Sequence, residues 1–158
     1  MTTIRFHALP TEQARAYQAG GRDAHGLPPE RRVSDGDGLP CRHCLANIAA
    51  GEEYLILAHR PFSAPQPYAE TGPIFLHAKT CERHPDSPNT PAMFLGWERM
   101  LMRGYGADER IVYGTGAVVP TAEIAGRAAD LLNRPEIAFV DLRSASNNCF
   151  QCRVTRGS

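Results

Sequence analysis

A chain of 158 residues, 42% of them hydrophobic, is long enough to bury a real core and fits one domain, expected over 1–158 with its core at 4–155. Seventeen basic and seventeen acidic residues cancel, which leaves no global field to draw nucleic acid or an anionic membrane. No apolar run approaches the ~20 residues of a spanning helix, and residues 1–10 hold no basic segment followed by an apolar one, so a cytoplasmic protein with reduced thiols is expected.

Ile4, Phe6 and Ala8 alternate with polar residues and predict a short strand. Leu9-Pro10-Thr11-Glu12 opens a helix that Gly20-Gly21 ends. Residues 20–40, rich in Gly, Pro and Asp, read as a loop with a strand near 31–33. A turn over 48–52 leads into a strand over 53–59, where Tyr54-Leu55-Ile56-Leu57-Ala58 is apolar on both faces and so suits a central position. Pro61, Pro65, Pro67 and Pro73 stiffen the next loop, and Ile74-Phe75-Leu76 is a second buried strand.

Phe94, Trp97 and Leu101 have helical spacing, interrupted by Gly96. Residues 110–119 read as a strand bent at Gly114 and Gly116. Pro120 starts the clearest helix, whose stripe is Ile124, Ala128, Leu131 and Leu132, and Pro135 stops it. Strands follow at 137–142 and 149–155, separated by the turn signal Asn147-Asn148. The sum is an α+β fold: a mainly antiparallel sheet of about six strands with two or three helices.

The chemistry of the chain concentrates in its cysteines. Cys41-Arg42-His43-Cys44 and Cys149-Phe150-Gln151-Cys152 are two Cys-x-x-Cys pairs about a hundred residues apart. Four thiols in two such pairs match a tetrahedral Cys₄ zinc site, and a metal held by Cys41, Cys44, Cys149 and Cys152 would bring the two chain ends together. Such a closed site is structural, since no position is left for water or substrate. Thiolates at i and i+3 meet one metal only if the backbone turns between them. Zinc knuckles often place Gly just after the second Cys to make that turn; here Leu45 and Arg153 stand there.

A competing ligand set keeps Cys41 and Cys44 and adds His77, Cys81 or His84, with His77-x-x-x-Cys81 a usable spacing. A third reading is thiol redox chemistry, in which His43 between the thiols lowers a thiol pKa. Cys81 alone also reads as a buried small hydrophobe. Pro40-Cys41-x-x-Cys44 matches half of a zinc deaminase signature, but His7 and His25 are followed two places on by Leu9 and Leu27, so the essential Glu is missing.

Among the remaining polar residues, Glu70 and His77 flank a buried strand, and Arg103 and Arg143 sit in loop-like polar segments that suit an anion. These four are the candidates for a catalytic pocket, if the protein is an enzyme. No nucleotide fingerprint and no nucleophile elbow is present. Pro40-Cys41-Arg42 with Leu45, then Gly51-Glu52, Pro67-Tyr68, Gly72-Pro73-Ile74-Phe75, Arg103-Gly104-Tyr105 and Cys149-Phe150 resemble domain-of-unknown-function family 1203, a family of small bacterial proteins. The resemblance spans about 4–153 and implies a single-domain bacterial protein, but no particular activity. The expectation is a binding or regulatory module held by structural zinc; the alternatives are a small-molecule enzyme using Glu70, His77, Arg103 and Arg143, or a thiol redox protein.

Overall fold

The computed structural model describes residues 2–157. It contains eight strands in two antiparallel sheets, and three α-helices. The chain clusters into two compact units: residues 1–7, 62–69 and 85–158 form the first, and residues 8–61 and 70–84 the second.

The first unit holds a five-stranded sheet. Its strands are β1 (Ile4–His7), β5 (Arg99–Tyr105), β6 (Ala117–Pro120), β7 (Phe139–Ser144) and β8 (Phe150–Arg156), in the order β1-β8-β7-β5-β6. The first and last strands are neighbours, Ile4 opposite Arg156 and His7 opposite Arg153. One sheet face is apolar by strict alternation: Phe6, Met100, Met102, Val140, Leu142, Cys152 and Val154 are all buried. Helix α3 (Ile124–Leu132) packs on these strands with Ile124, Ala128, Leu131 and Leu132 buried, the stripe expected from the sequence. The opposite face carries Arg103, Asp141 and Arg153, directly opposite one another across β5, β7 and β8.

Strand β5 departs from the expectation. Residues 92–102 have partly helical spacing, but only Ala92–Leu95 is helical (α2), and Arg99–Tyr105 runs as a strand between β7 and β6. Methionine and leucine favour helix intrinsically, and sheet pairing on both sides overrides that preference. Arg103 and Arg143, expected in loops, therefore lie within strands β5 and β7. Gly104 fits a tight spot: a Cβ there would stand 3.2 Å from Ile137 and 3.3 Å from the Thr115 hydroxyl. That hydroxyl accepts the Gly104 N–H at 2.9 Å. The strand expected over 110–119 shrinks to β6, because the chain turns at Gly114 with φ of 89°.

The second unit holds a three-stranded sheet, ordered β2 (Glu30–Val33), β3 (Glu53–His59), β4 (Gly72–His77), with β3 central as its apolar run predicts. Leu55, Leu57, Ile74 and Leu76 form its buried face, packed with Leu39, Cys41 and Ile48. Helix α1 (Thr11–Gln18) contributes Ala14 and Tyr17 to the same cluster. It ends at Gly20, whose φ of 93° suits glycine alone without strain. Eight strands in two sheets thus replace the single sheet of about six.

Candidate metal centre

Cys41 begins a tight turn docked on the outer edge of β4. Its backbone pairs in parallel with Phe75, and the Arg42 N–H donates to the Phe75 carbonyl at 3.1 Å. The Cys41 N–H donates to the Ala46 carbonyl, and the Leu45 N–H to the Cys41 carbonyl, each at 3.0 Å. Leu45 takes the left-handed conformation, with φ of 52°. That is the backbone state a knuckle glycine would supply, and a residue with a Cβ pays for it. Leu45 is buried, which offsets the strain through its packing.

The turn points both thiols toward the end of β4. His77 is the last residue of that strand, and its N–H points at the Cys41 sulfur at 3.5 Å. Cys81 lies four residues further on. Helix α1 clasps this loop: the Gln18 amide donates to the carbonyls of His77 and Lys79 at 3.0 Å each, and Arg15 donates to the Cys81 carbonyl at 2.9 Å.

The result is a group of four ligand atoms, from Cys41, Cys44, His77 and Cys81, all within 4.8 Å of one another. The Cys41 and Cys81 sulfurs are 3.9 Å apart, and the Cys44 sulfur is 3.5 Å from Nδ1 of His77. A tetrahedral zinc with bonds of about 2.3 Å to sulfur and about 2.0 Å to nitrogen separates two sulfurs by about 3.8 Å, and sulfur from nitrogen by about 3.5 Å. The donor set and its spacing therefore fit a tetrahedral ion. Cys41 is fully buried; the other three are half-buried and His77 and Cys81 line a cleft of about 490 Å³.

The thiols share one negative charge. Hydrogen bonds from the Cys44 and Cys81 side chains pull the Cys41 thiol far below its ordinary range; burial opposes this, and the N–H groups of Cys44 and His77 assist. The Cys44 thiol is pushed up, first by its hydrogen bond to Cys41 and then by Cys81 and burial. The bond to Cys41 likewise pushes Cys81 up to about 11.

His43 is fully buried beside the group. Its Nδ1 is 3.2 Å from the Cys81 sulfur, and its Nε2 is 2.9 Å from the Thr11 hydroxyl. Burial, reinforced by Arg15, pushes its pKa down, so the ring is neutral near pH 7. A neutral ring is no cation to activate a thiol; the charge on Cys41 is held by the other two thiols and by backbone N–H groups.

Among the described residues this is the one group of three or more His, Cys, Asp or Glu side chains placed to hold an ion. Cys149 and Cys152 are not part of it and belong to the first unit. The Cys152 thiol donates to the His7 carbonyl at 3.3 Å, and the Cys149 thiol to the Asn147 carbonyl at 3.7 Å. Within the second unit, the first Cys-x-x-Cys pair meets His77 and Cys81. His84 also lies outside the group; its backbone N–H donates to the His43 carbonyl at 2.9 Å. Of the four residues considered for a catalytic pocket, Glu70 and His77 belong to the second unit, and Arg103 and Arg143 to the first.

Two contacts of the group escaped the sequence reading. Glu52 lies 3.1 Å from Nε2 of His77, and His43 approaches Cys81. In the sequence Gly51-Glu52 reads as a turn and as part of the family resemblance, and His43 as an imidazole between the thiols of its own pair rather than as a neighbour of Cys81.

Residues 38–156 match a family described as protein of unknown function (DUF1203), and the chain belongs to that family. No curated protein and no solved structure matches the chain. The matched span contains all four ligand residues and both Cys-x-x-Cys pairs.

Proposed function

We propose that this member of the DUF1203 family binds one zinc ion through Cys41, Cys44, His77 and Cys81, and that the ion is structural. The observation that carries the reading is the convergence of three sulfurs and one imidazole nitrogen within 4.8 Å. Thiolate-rich sets suit zinc, and three thiolates with one histidine make a closed four-coordinate site. A closed site supplies cross-linking, not a reactive water. It would tie the knuckle turn, the end of β4 and the loop at Cys81 together, and so hold the edge of the three-stranded sheet. The protein then acts as a binding or regulatory module on a metal-braced scaffold. Three ligating thiolates belong in a reducing compartment, which favours the cytoplasm. No helix among the described residues is long and apolar enough to cross a membrane.

The testing experiment is metal content of protein purified without added metal, with reactive thiols counted before and after chelation. One zinc per chain is expected, and chelation uncovers three thiols of the five cysteines. Four uncovered thiols would restore the set with Cys149 and Cys152, and no bound metal would remove the reading altogether.

The affinity should also depend steeply on pH. In the metal-free protein Cys44 and Cys81 both have raised pKa values, so both carry protons near pH 7. Zinc must displace those two protons, whereas Cys41 is already a thiolate. The logarithm of the apparent association constant is therefore expected to rise by about two per pH unit across pH 6–8. Zinc titrations in competition with a chromophoric chelator measure the slope. A flat profile would mean that the thiols are ionised before the metal arrives.

A further inference from the structure

Histidine has two chemically distinct ring nitrogens, and a metal takes only one that carries no proton. Which one is free is set by the partner of the other. In His77, Nδ1 faces the Cys44 sulfur at 3.5 Å, while Nε2 faces the Glu52 carboxylate at 3.1 Å. A carboxylate accepts hydrogen bonds and does not donate them when ionised. Glu52 therefore holds the ring proton on Nε2 and leaves the Nδ1 lone pair aimed at the sulfurs.

The backbone keeps this pair in register. Glu52 follows Gly51, whose φ of 87° makes the turn into β3. Both backbone polar groups of Glu52 are engaged: its N–H donates to the Ala49 carbonyl at 3.1 Å, and its carbonyl accepts the Ser34 N–H at 2.8 Å. On the other side the Ala78 N–H donates to the Glu53 carbonyl at 3.0 Å. The residue after Glu52 is thus bonded to the residue after His77, and the two side chains start from the entry of β3 and the end of β4, strands paired with each other. The His77 side chain is 16% exposed and that of Glu52 53%, so the carboxylate caps the ring from the cleft side.

We propose that Glu52 is a positioning residue of the metal centre: it selects Nδ1 of His77 as the ligating nitrogen and raises the basicity of the ring. The proposal rests on the zinc reading above. Outer partners of this kind orient a metal-bound imidazole and are worth about 10–100-fold in metal affinity. They also decide whether a site accepts its ion without reorganising the ring, which here is the only ligand that is not a thiolate.

The test compares zinc binding by the full chain and by its Glu52→Ala and Glu52→Gln variants, using competition with a chromophoric chelator. Long-range proton–nitrogen NMR of the zinc-loaded protein identifies the ligating nitrogen. The expected results are zinc on Nδ1 and a proton on Nε2 in the unaltered chain. Glu52→Ala should still bind one zinc, about 10–100-fold more weakly. Glu52→Gln, which keeps an acceptor without its charge, should fall between the two. Circular dichroism of the metal-free variants separates this from a folding defect; their melting should match the parent, because Glu52 is more than half exposed. Zinc on Nε2, or unchanged affinity in Glu52→Ala, would overturn the role of Glu52 and leave the zinc site standing. An unaltered chain that takes up no stoichiometric zinc would overturn both.

Discussion

Cys81→Ser is expected to weaken zinc binding about a hundredfold, while Cys149→Ser and Cys152→Ser leave the affinity unchanged. The reason is geometric. The Cys81 sulfur stands 3.9 Å from that of Cys41 and closes the group of four ligand atoms; neither Cys149 nor Cys152 is part of that group. Structural zinc in small domains is bound with an apparent ~10–16 kcal/mol near pH 7. If four ligands share this about equally, losing one costs roughly 3 kcal/mol, or about a hundredfold in affinity. The loss should be accompanied by a lower melting temperature, because the ion stabilises only the folded chain and binding free energy becomes folding free energy. Cys152→Ser is a mild change by comparison, since a serine hydroxyl can also donate to the His7 carbonyl that the thiol now reaches. Zinc titration of the three variants in competition with a chromophoric chelator, followed by thermal melts with and without chelator, decides the matter. Unchanged zinc affinity in Cys81→Ser, with weakened affinity in Cys149→Ser, would reverse the assignment.

The second large effect lies in the five-stranded sheet. Asp141 is fully buried and receives two hydrogen bonds from Arg153, at 2.7 and 2.9 Å. The Arg153 guanidinium in turn lies over the Phe139 ring, 3.7 Å from its centroid. Burial pushes the Asp141 carboxyl upward, and the hydrogen bonds and charge of Arg153 oppose that. Removing the carboxylate leaves a partly desolvated cation facing a cavity. Asp141→Ala is therefore expected to destabilise by about 3–5 kcal/mol, the usual cost of breaking a buried pair from one side. In a chain of this length that is a drop of roughly 10 °C in melting temperature. The joint replacement Asp141→Leu with Arg153→Met should recover part of the loss, because it removes the desolvation cost of that pair while Arg103 and Arg143, whose charges also act on Asp141, stay in place. Urea unfolding of the single and double variants checks both halves. A cost below about 1 kcal/mol for Asp141→Ala would show that solvent already reaches the pair.

These two sites differ in how far they could be read in advance. The α3 stripe, the span and central place of β3, and the turn before it are written in local periodicity and in glycine, and they appear where expected. Strand β5 was hidden, since Phe94, Trp97 and Leu101 have helical spacing and Gly104 lies in a loop-like polar segment. Only pairing with β6 and β7 makes that segment extended. The bidentate pair of Asp141 and Arg153 depends on the same cross-strand register and has no signature along the chain.

The candidate metal centre divides along the same line. Sequence alone marked Cys41 and Cys44 as a local pair, because i and i+3 thiols around a turn are a short-range property. It also placed the chain in its family, since a match over residues 38–156 needs only the order of residues. Which thiols and imidazoles come together, His77 and Cys81 beside Cys41 and Cys44, belonged to tertiary structure. Ligation requires sulfurs within about 4 Å of each other, and separation along the chain says nothing about that distance. The cluster is assembled by the docking of the Cys41 turn on the edge of β4. There the strand ends in His77, and α1 holds the following loop so that Cys81 turns back onto Cys41.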